Sequence, residues 1–156
     1  MKMRRCVTVG LVLGSMLSIL VGCDHSPTEP TGSVGFQTAL KATLPGDAPD
    51  FQGGETVRDR ARWEAVWADL HGGLPSPLPE IDFNREMVVL VVVPGCQGNV
   101  EISAIDRERS ELVVRARAKT CSTALCAIAE FGVHVVRLPR LEGPVRFDVR
   151  HDAGLC

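Results

Sequence analysis

Seven consecutive apolar residues, Met87 to Val93, constrain this 156-residue chain more than any other feature. Five of the seven are valines, whose stiff β-branched side chains favour extended backbone. Side chains alternate between the two faces of a strand, so a run that is apolar at every position must be covered on both. A helix on one face and a second layer on the other would satisfy it.

The helix is legible upstream. Asp59 is its expected N-cap. Trp63, Val66, Trp67 and Leu70 follow at i, i+3, i+4 and i+7, which places them on one stripe. Gly72 and Gly73 end it. Both tryptophans of the chain lie on that stripe. They are expected to anchor the helix to a sheet rather than to offer an aromatic patch to a partner.

The remaining pattern is extended. Phe36 to Ala42 alternates loosely and reads as a first strand, followed by a Pro/Gly loop through Gly54. Leu74 to Pro79 holds three prolines and reads as a stiff crossing, in which Asp82 is expected to cap. After the apolar strand, Gly95, Cys96, Gln97, Gly98 and Asn99 form a loop. Val100 to Ala104 and Leu112 to Ala118 alternate as half-buried strands, and Val133 to Leu138 is a strand stopped by Pro139. Val145, Phe147 and Val149 alternate with Arg146, Asp148 and Arg150, and residues 151–156 read as a tail. The expected fold class is α+β in two layers: one antiparallel sheet of about 5–6 strands with one packed amphipathic helix.

The N-terminus carries an address. Lys2, Arg4 and Arg5 precede an uncharged stretch that lasts until Asp24, a charged n-region followed by an apolar h-region. Leu20-Val21-Gly22-Cys23 resembles the lipobox of bacterial lipoproteins. Residues 1–22 are therefore expected to be a cleaved signal peptide, with Cys23 the lipidated first residue of the mature chain. The multiple acyl chains of such a cysteine hold a protein stably on a membrane. Residues 23–35 read as the lipidated cysteine and a Pro/Gly/Ser/Thr-rich tether, and 36–156 as a single globular domain. The expected location is the bacterial cell envelope, outside the cytoplasm, with the choice of membrane left open.

Cleavage leaves 134 residues, enough for one domain with a core. It removes three of 17 basic residues and none of 19 acidic ones, leaving 14 against 19 and a net charge of −5. A mildly acidic chain without tyrosine argues against nucleic-acid binding. Four cysteines remain beside Cys23: Cys96, Cys121, Cys126 and Cys156. If successive strands run antiparallel, all four fall at one rim of the sheet. An even number in an oxidising compartment reads as two disulfides, with three pairings open. Zinc is the weaker reading, since the set has one C-x4-C and no C-x2-C.

No catalytic motif is present: there is no G-x-S-x-G, no H-E-x-x-H and no P-loop. His25, His71, His134 and His151 are scattered, with His134 expected to be a satisfied structural histidine and His151 to lie near the cysteine rim. A Cys121–His151 nucleophile is set aside because a disulfide would silence the thiol. No catalytic residue, metal or cofactor is expected.

The order of features from Val57 to Val149 adds a resemblance. A Trp-x3-Trp helix (Trp63, Trp67) leads to a proline-rich crossing, Ile81-Asp82-Phe83 and the Met87 to Val93 strand. A glycine loop, two alternating strands and a Cys-bearing loop then lead to Val135-Val136-Arg137-Leu138-Pro139. This order is similar to that of the PrcB C-terminal domain family, named from a lipoprotein that supports a surface protease complex. The stretch R-P-T-G-G-Y usual in that family is replaced here by Gly95 to Val100, with a cysteine in it. The resemblance implies a membrane-anchored, non-enzymatic binding or scaffold module with a protein partner, such as an exported protease, and Gly95–Asn99 as the partner-binding loop. The rival expectations are a protease inhibitor that inserts the same loop into an active site and, with least support, a thiol-redox or hydrolytic enzyme.

Overall fold

The computed structural model describes residues 32–49, 51, 53–74, 76–95, 99–121 and 129–154; at 120, 121, 153 and 154 it describes the backbone. Residues 1–31, which hold the expected signal peptide, Cys23 and most of the expected tether, lie outside the described residues, as do Cys96, Gln97, Gly98, Cys126 and Cys156.

The apolar run is the centre of the molecule. It forms most of strand β4 (Glu86–Pro94), and every residue from Met87 to Val92 is fully buried. β4 pairs antiparallel with β7 (Glu130–Pro139) on one side and with the short β3 (Glu55–Val57) on the other. β2 (Gln37–Pro45) pairs antiparallel with β7 and completes a sheet of order β2-β7-β4-β3. A second sheet, of order β1-β5-β6-β8, contains β1 (Gly32–Ser33), β5 (Asn99–Glu108), β6 (Glu111–Cys121) and β8 (Val145–Gly154).

Alternation along β4 divides the core in two. Met87, Val89, Val91 and Val93 pack between the sheets, against Val100, Ile102 and Ile105 of β5 and Leu112, Val114, Ala116 and Ala118 of β6. Val88, Leu90 and Val92 face the opposite way, toward helix α1 (Arg60–Leu70) and its buried Trp63, Val66, Trp67 and Leu70. The protein is thus a sandwich with a helix on one outer face, in three layers.

This corrects the expected single sheet of 5–6 strands in two layers. The class is broadly α+β, but sheet dominates, with two four-stranded sheets and one short helix. The all-antiparallel expectation also fails at one place: β6 and β8 run parallel over ten registered pairs, from Leu112–Val145 to Cys121–Gly154. Parallel neighbours need a crossover. Here the intervening strand β7 crosses in the other sheet and does the work usually left to a helix. β6 and β8 run in the same sense, as the strand succession implies, but as neighbours in one sheet rather than on either side of β7.

Helix α1 ends as its sequence requires. Asp59 is extended at the N-cap and its side chain accepts from the Arg62 N–H. Gly72 and Gly73 take positive φ, and the Gly73 N–H returns to the Ala68 carbonyl, closing the helix in the manner of a glycine C-terminal cap. Trp63 donates from Nε1 to the Pro79 carbonyl, tying the proline-rich crossing to the helix. Arg62 and Glu55 form a two-pronged ion pair that ties the helix to β3.

Two segments are more ordered than their sequence suggests. Gly32 and Ser33, read as tether, pair with Arg107 and Asp106 of β5. The expected tail from residue 151 continues β8 to Gly154.

Candidate functional site

Strand directions give the sandwich two ends with different chemistry. One end collects the segments that flank the cysteines. Pro94 lies opposite Phe131, and the Gly95 N–H, at a φ of 131°, donates to the Glu130 carbonyl at 3.0 Å. Asn99, the residue that resumes the chain after the loop, lies opposite Lys119. The Cys121 backbone lies opposite Gly154. The chain flanking each of the four thiols therefore reaches the same rim, as the strand order implied. The pairing of those thiols lies outside the described residues, as do three of the five residues of the Gly95–Asn99 loop. That loop carries the chain from one sheet to the other between two anchored strands.

The opposite end holds a cleft of about 680 Å³, which the sequence did not announce. The start of β2, the turn before β4 and the end of β7 build it. Arg137 crosses its wall, donating to Gln37 Oε1 at 2.6 Å from one guanidinium nitrogen and 3.1 Å from another, with Glu86 at 4.0 Å. Asp82 and Arg85 line the mouth. Asp82 acts as the cap expected of it: its Oδ1 accepts from the Asn84 N–H, and its carbonyl accepts from Arg85 and Glu86. The arginines of this end sit at strand termini scattered from position 58 to 146. Only strand direction brings them together, so no sequence motif could have found them.

His134 occupies neither end. It lies on β7, is 3% exposed, and points between the sheets. Its Nδ1 accepts from the Ile102 N–H of β5 at 2.8 Å, and its Nε2 lies 3.0 Å from Thr38 Oγ1 of β2. An amide N–H can only donate, so Nδ1 is unprotonated and Nε2 carries the proton toward the threonine. Burial, followed by the nearby charge of Lys41, lowers its pKa below the usual histidine value, and Glu101 opposes the shift weakly. Lys41 and Glu101 themselves pair at 3.2 Å across the same seam. His134 is thus a neutral polar staple between the sheets. His151 is exposed on β8 beside Ala118.

The outer face of the β1-β5-β6-β8 sheet is an ion-pair carpet centred on Arg115, which meets Asp106 at 2.9 Å, Glu108 and Asp148. The hydrogen bond to Asp106, with the charges of Glu108 and Asp148 around it, raises the Arg115 pKa further. Glu108 and Glu111 face one another across the β5–β6 turn, and Arg146 reaches both, relieving a like-charge pair that would otherwise oppose the hairpin. Among the described residues there is no group of three or more His, Cys, Asp and Glu side chains able to hold a metal. No helix there is long and apolar enough to cross a membrane. Both tryptophans of the helical stripe are buried, their rings 5.1 Å apart, so the stripe is core.

Comparison with protein-family models, with curated proteins and with solved structures finds no match to this chain.

Proposed function

We propose that this chain is a membrane-anchored, extracytoplasmic lipoprotein, acylated at Cys23, that acts as a non-enzymatic binding or scaffold module for an exported protease or another envelope protein. The observation that carries the reading is the register of charge, apolar run and Leu20-Val21-Gly22-Cys23 at the N-terminus. The order of features shared with the PrcB C-terminal domain family supports a scaffold role. The fold is consistent with it: the buried histidine is engaged in holding two sheets together, and the Gly95–Asn99 connector sits on rigid strands, a suitable mount for a recognition loop.

Two measurements test the reading. Mass spectrometry of protein from its native host should find a mature species that begins at Cys23 and carries fatty-acid mass. An intact Met1 would refute the export step. Affinity capture from envelope extracts should recover a partner with the native chain and lose it when residues 95–99 are replaced by a plain glycine–serine turn. If the captured partner is a protease whose turnover rises when the loop is replaced, the loop inhibits rather than scaffolds. Undiminished capture by the replaced protein would remove the loop from the binding surface.

A further inference from the structure

We propose that the cleft end of the sandwich rests on the anionic headgroup surface of the membrane that holds Cys23, so that the Gly95–Asn99 rim points away from the bilayer. The inference rests on the lipidation reading above and adds an orientation and a ligand class, anionic phospholipid, to it.

The first observation is where the N-terminal segment joins. β1 pairs with Arg107 and Asp106 at the far end of β5, beside the β5–β6 turn and away from Asn99. A shallow, mainly apolar groove of about 290 Å³ joins Gly32, Ser33 and Val34 to Arg107, Pro139 and Leu141, so the entry point, the end of β7 and the turn form one surface. Eight residues lie between Cys23 and Gly32, and the nine steps from one to the other reach at most ~30 Å. The nine-residue β4 spans about the same height. The cleft end is therefore close to the bilayer for almost any path of those eight residues. The rim end reaches it only if they run fully extended alongside the sandwich.

The second observation is charge. Five acids at the cleft end are paired with arginines: Glu86 with Arg137, Glu142 with Arg140, Asp106 with Arg115, and Glu108 and Glu111 with Arg146; Glu80, just before the mouth, is exposed and unpaired among the described residues. Asp82 caps its own turn. Arg85, Arg107 and Arg109 have no side-chain partner among the described residues, and Arg85 and Arg109 are exposed. Arg109 also sits at the tip of the turn with a φ of 58°, a conformation that glycine adopts without cost and arginine does not. An arginine at that tip and another at the cleft mouth form a basic edge beside the point where the anchor joins, and basic side chains near an anionic leaflet are attracted to it.

The test uses the full mature lipoprotein, reconstituted in vesicles of phosphatidylcholine with phosphatidylglycerol and in vesicles of phosphatidylcholine alone. A fluorescent amino acid is incorporated at position 110 in one protein and at position 99 in another, and a headgroup nitroxide serves as the quencher. Position 110 should be quenched several-fold more than position 99 in the anionic vesicles. Arg85→Gln and Arg109→Gln should each reduce that several-fold preference and together abolish it, and it should weaken in neutral vesicles and in high salt. Circular dichroism of both variants checks that they fold. Equal quenching of the two positions, stronger quenching at 99, or a preference indifferent to both substitutions would overturn the orientation. Mass spectrometry of the same preparation separates the two failures: fatty acid on Cys23 with no preference rejects the orientation alone, whereas its absence rejects the lipidation reading beneath it.

Discussion

The neutral state of His134 makes the fold sensitive to mild acid. Protonating Nδ1 would remove the acceptor of the Ile102 N–H and place a charge in a site that is 3% exposed, so burial holds the folded pKa below the value near 6.5 that the unfolded chain has. The sign follows from linkage. Above pH ~6.5 the histidine is neutral in both states and contributes no pH dependence. As pH falls below that value, the unfolded chain takes up the proton first. Stability then declines, by at most ~1.4 kcal/mol per pH unit, until the folded pKa is reached. The probe variant is His134→Leu. It deletes the titrating group and leaves the Ile102 N–H and Thr38 hydroxyl without this partner, which costs about 1–3 kcal/mol at pH 8. Urea unfolding followed by tryptophan fluorescence reads both effects, since Trp63 and Trp67 are buried. The native protein should lose stability between pH 7 and pH 5, and His134→Leu should start lower and lose less over the same interval. Equal slopes in the two proteins would refute the argument, and so would a stability for His134→Leu at pH 8 equal to that of the native chain.

Three further outcomes follow from particular contacts. Gly54 lies against the Phe147 ring of β8, and a Cβ there would overlap it, so Gly54→Ala should destabilise the domain by about 1–3 kcal/mol; Phe147→Leu in the same chain should recover part of the loss in denaturant titration. Arg109→Gly should relieve the positive φ and raise stability by up to about 1 kcal/mol, with a midpoint shift in urea as the check. Thiol titration of the unreduced mature protein should find no free cysteine among Cys96, Cys121, Cys126 and Cys156, and reduction should lower stability by about 2–4 kcal/mol per bridge. Four reactive thiols would reject the disulfide reading.

Local pattern carried much of this structure. The apolar run from Met87 to Val93 required cover on both faces, and it has α1 on one and the second sheet on the other. The spacing of Trp63, Val66, Trp67 and Leu70 identified the buried face of the helix, and Asp59 and Gly72-Gly73 marked its ends. These features are legible because they depend on residues within one or two turns, or on the two-residue period of a strand.

Partner choice is not local. Val100 to Ala118 alternates in the same way whether its strands extend the β4 sheet or form another, so the division into two sheets and the parallel β6–β8 pair came only with the fold. β3 has three residues and β1 two, too few for a period to register. The same limit applies to the sites. The cysteine-flanking rim was reachable by following strand direction, but the cleft around Arg137 and the staple at His134 join residues 32 to 100 positions apart. The alternation of apolar and polar residues, and the lipobox-like pattern proposed as an export signal, are properties of neighbouring residues and belong to the sequence. Which charged residues meet at one end of the sandwich, and what a buried histidine touches, depend on long-range pairing, and the tertiary structure alone decided them.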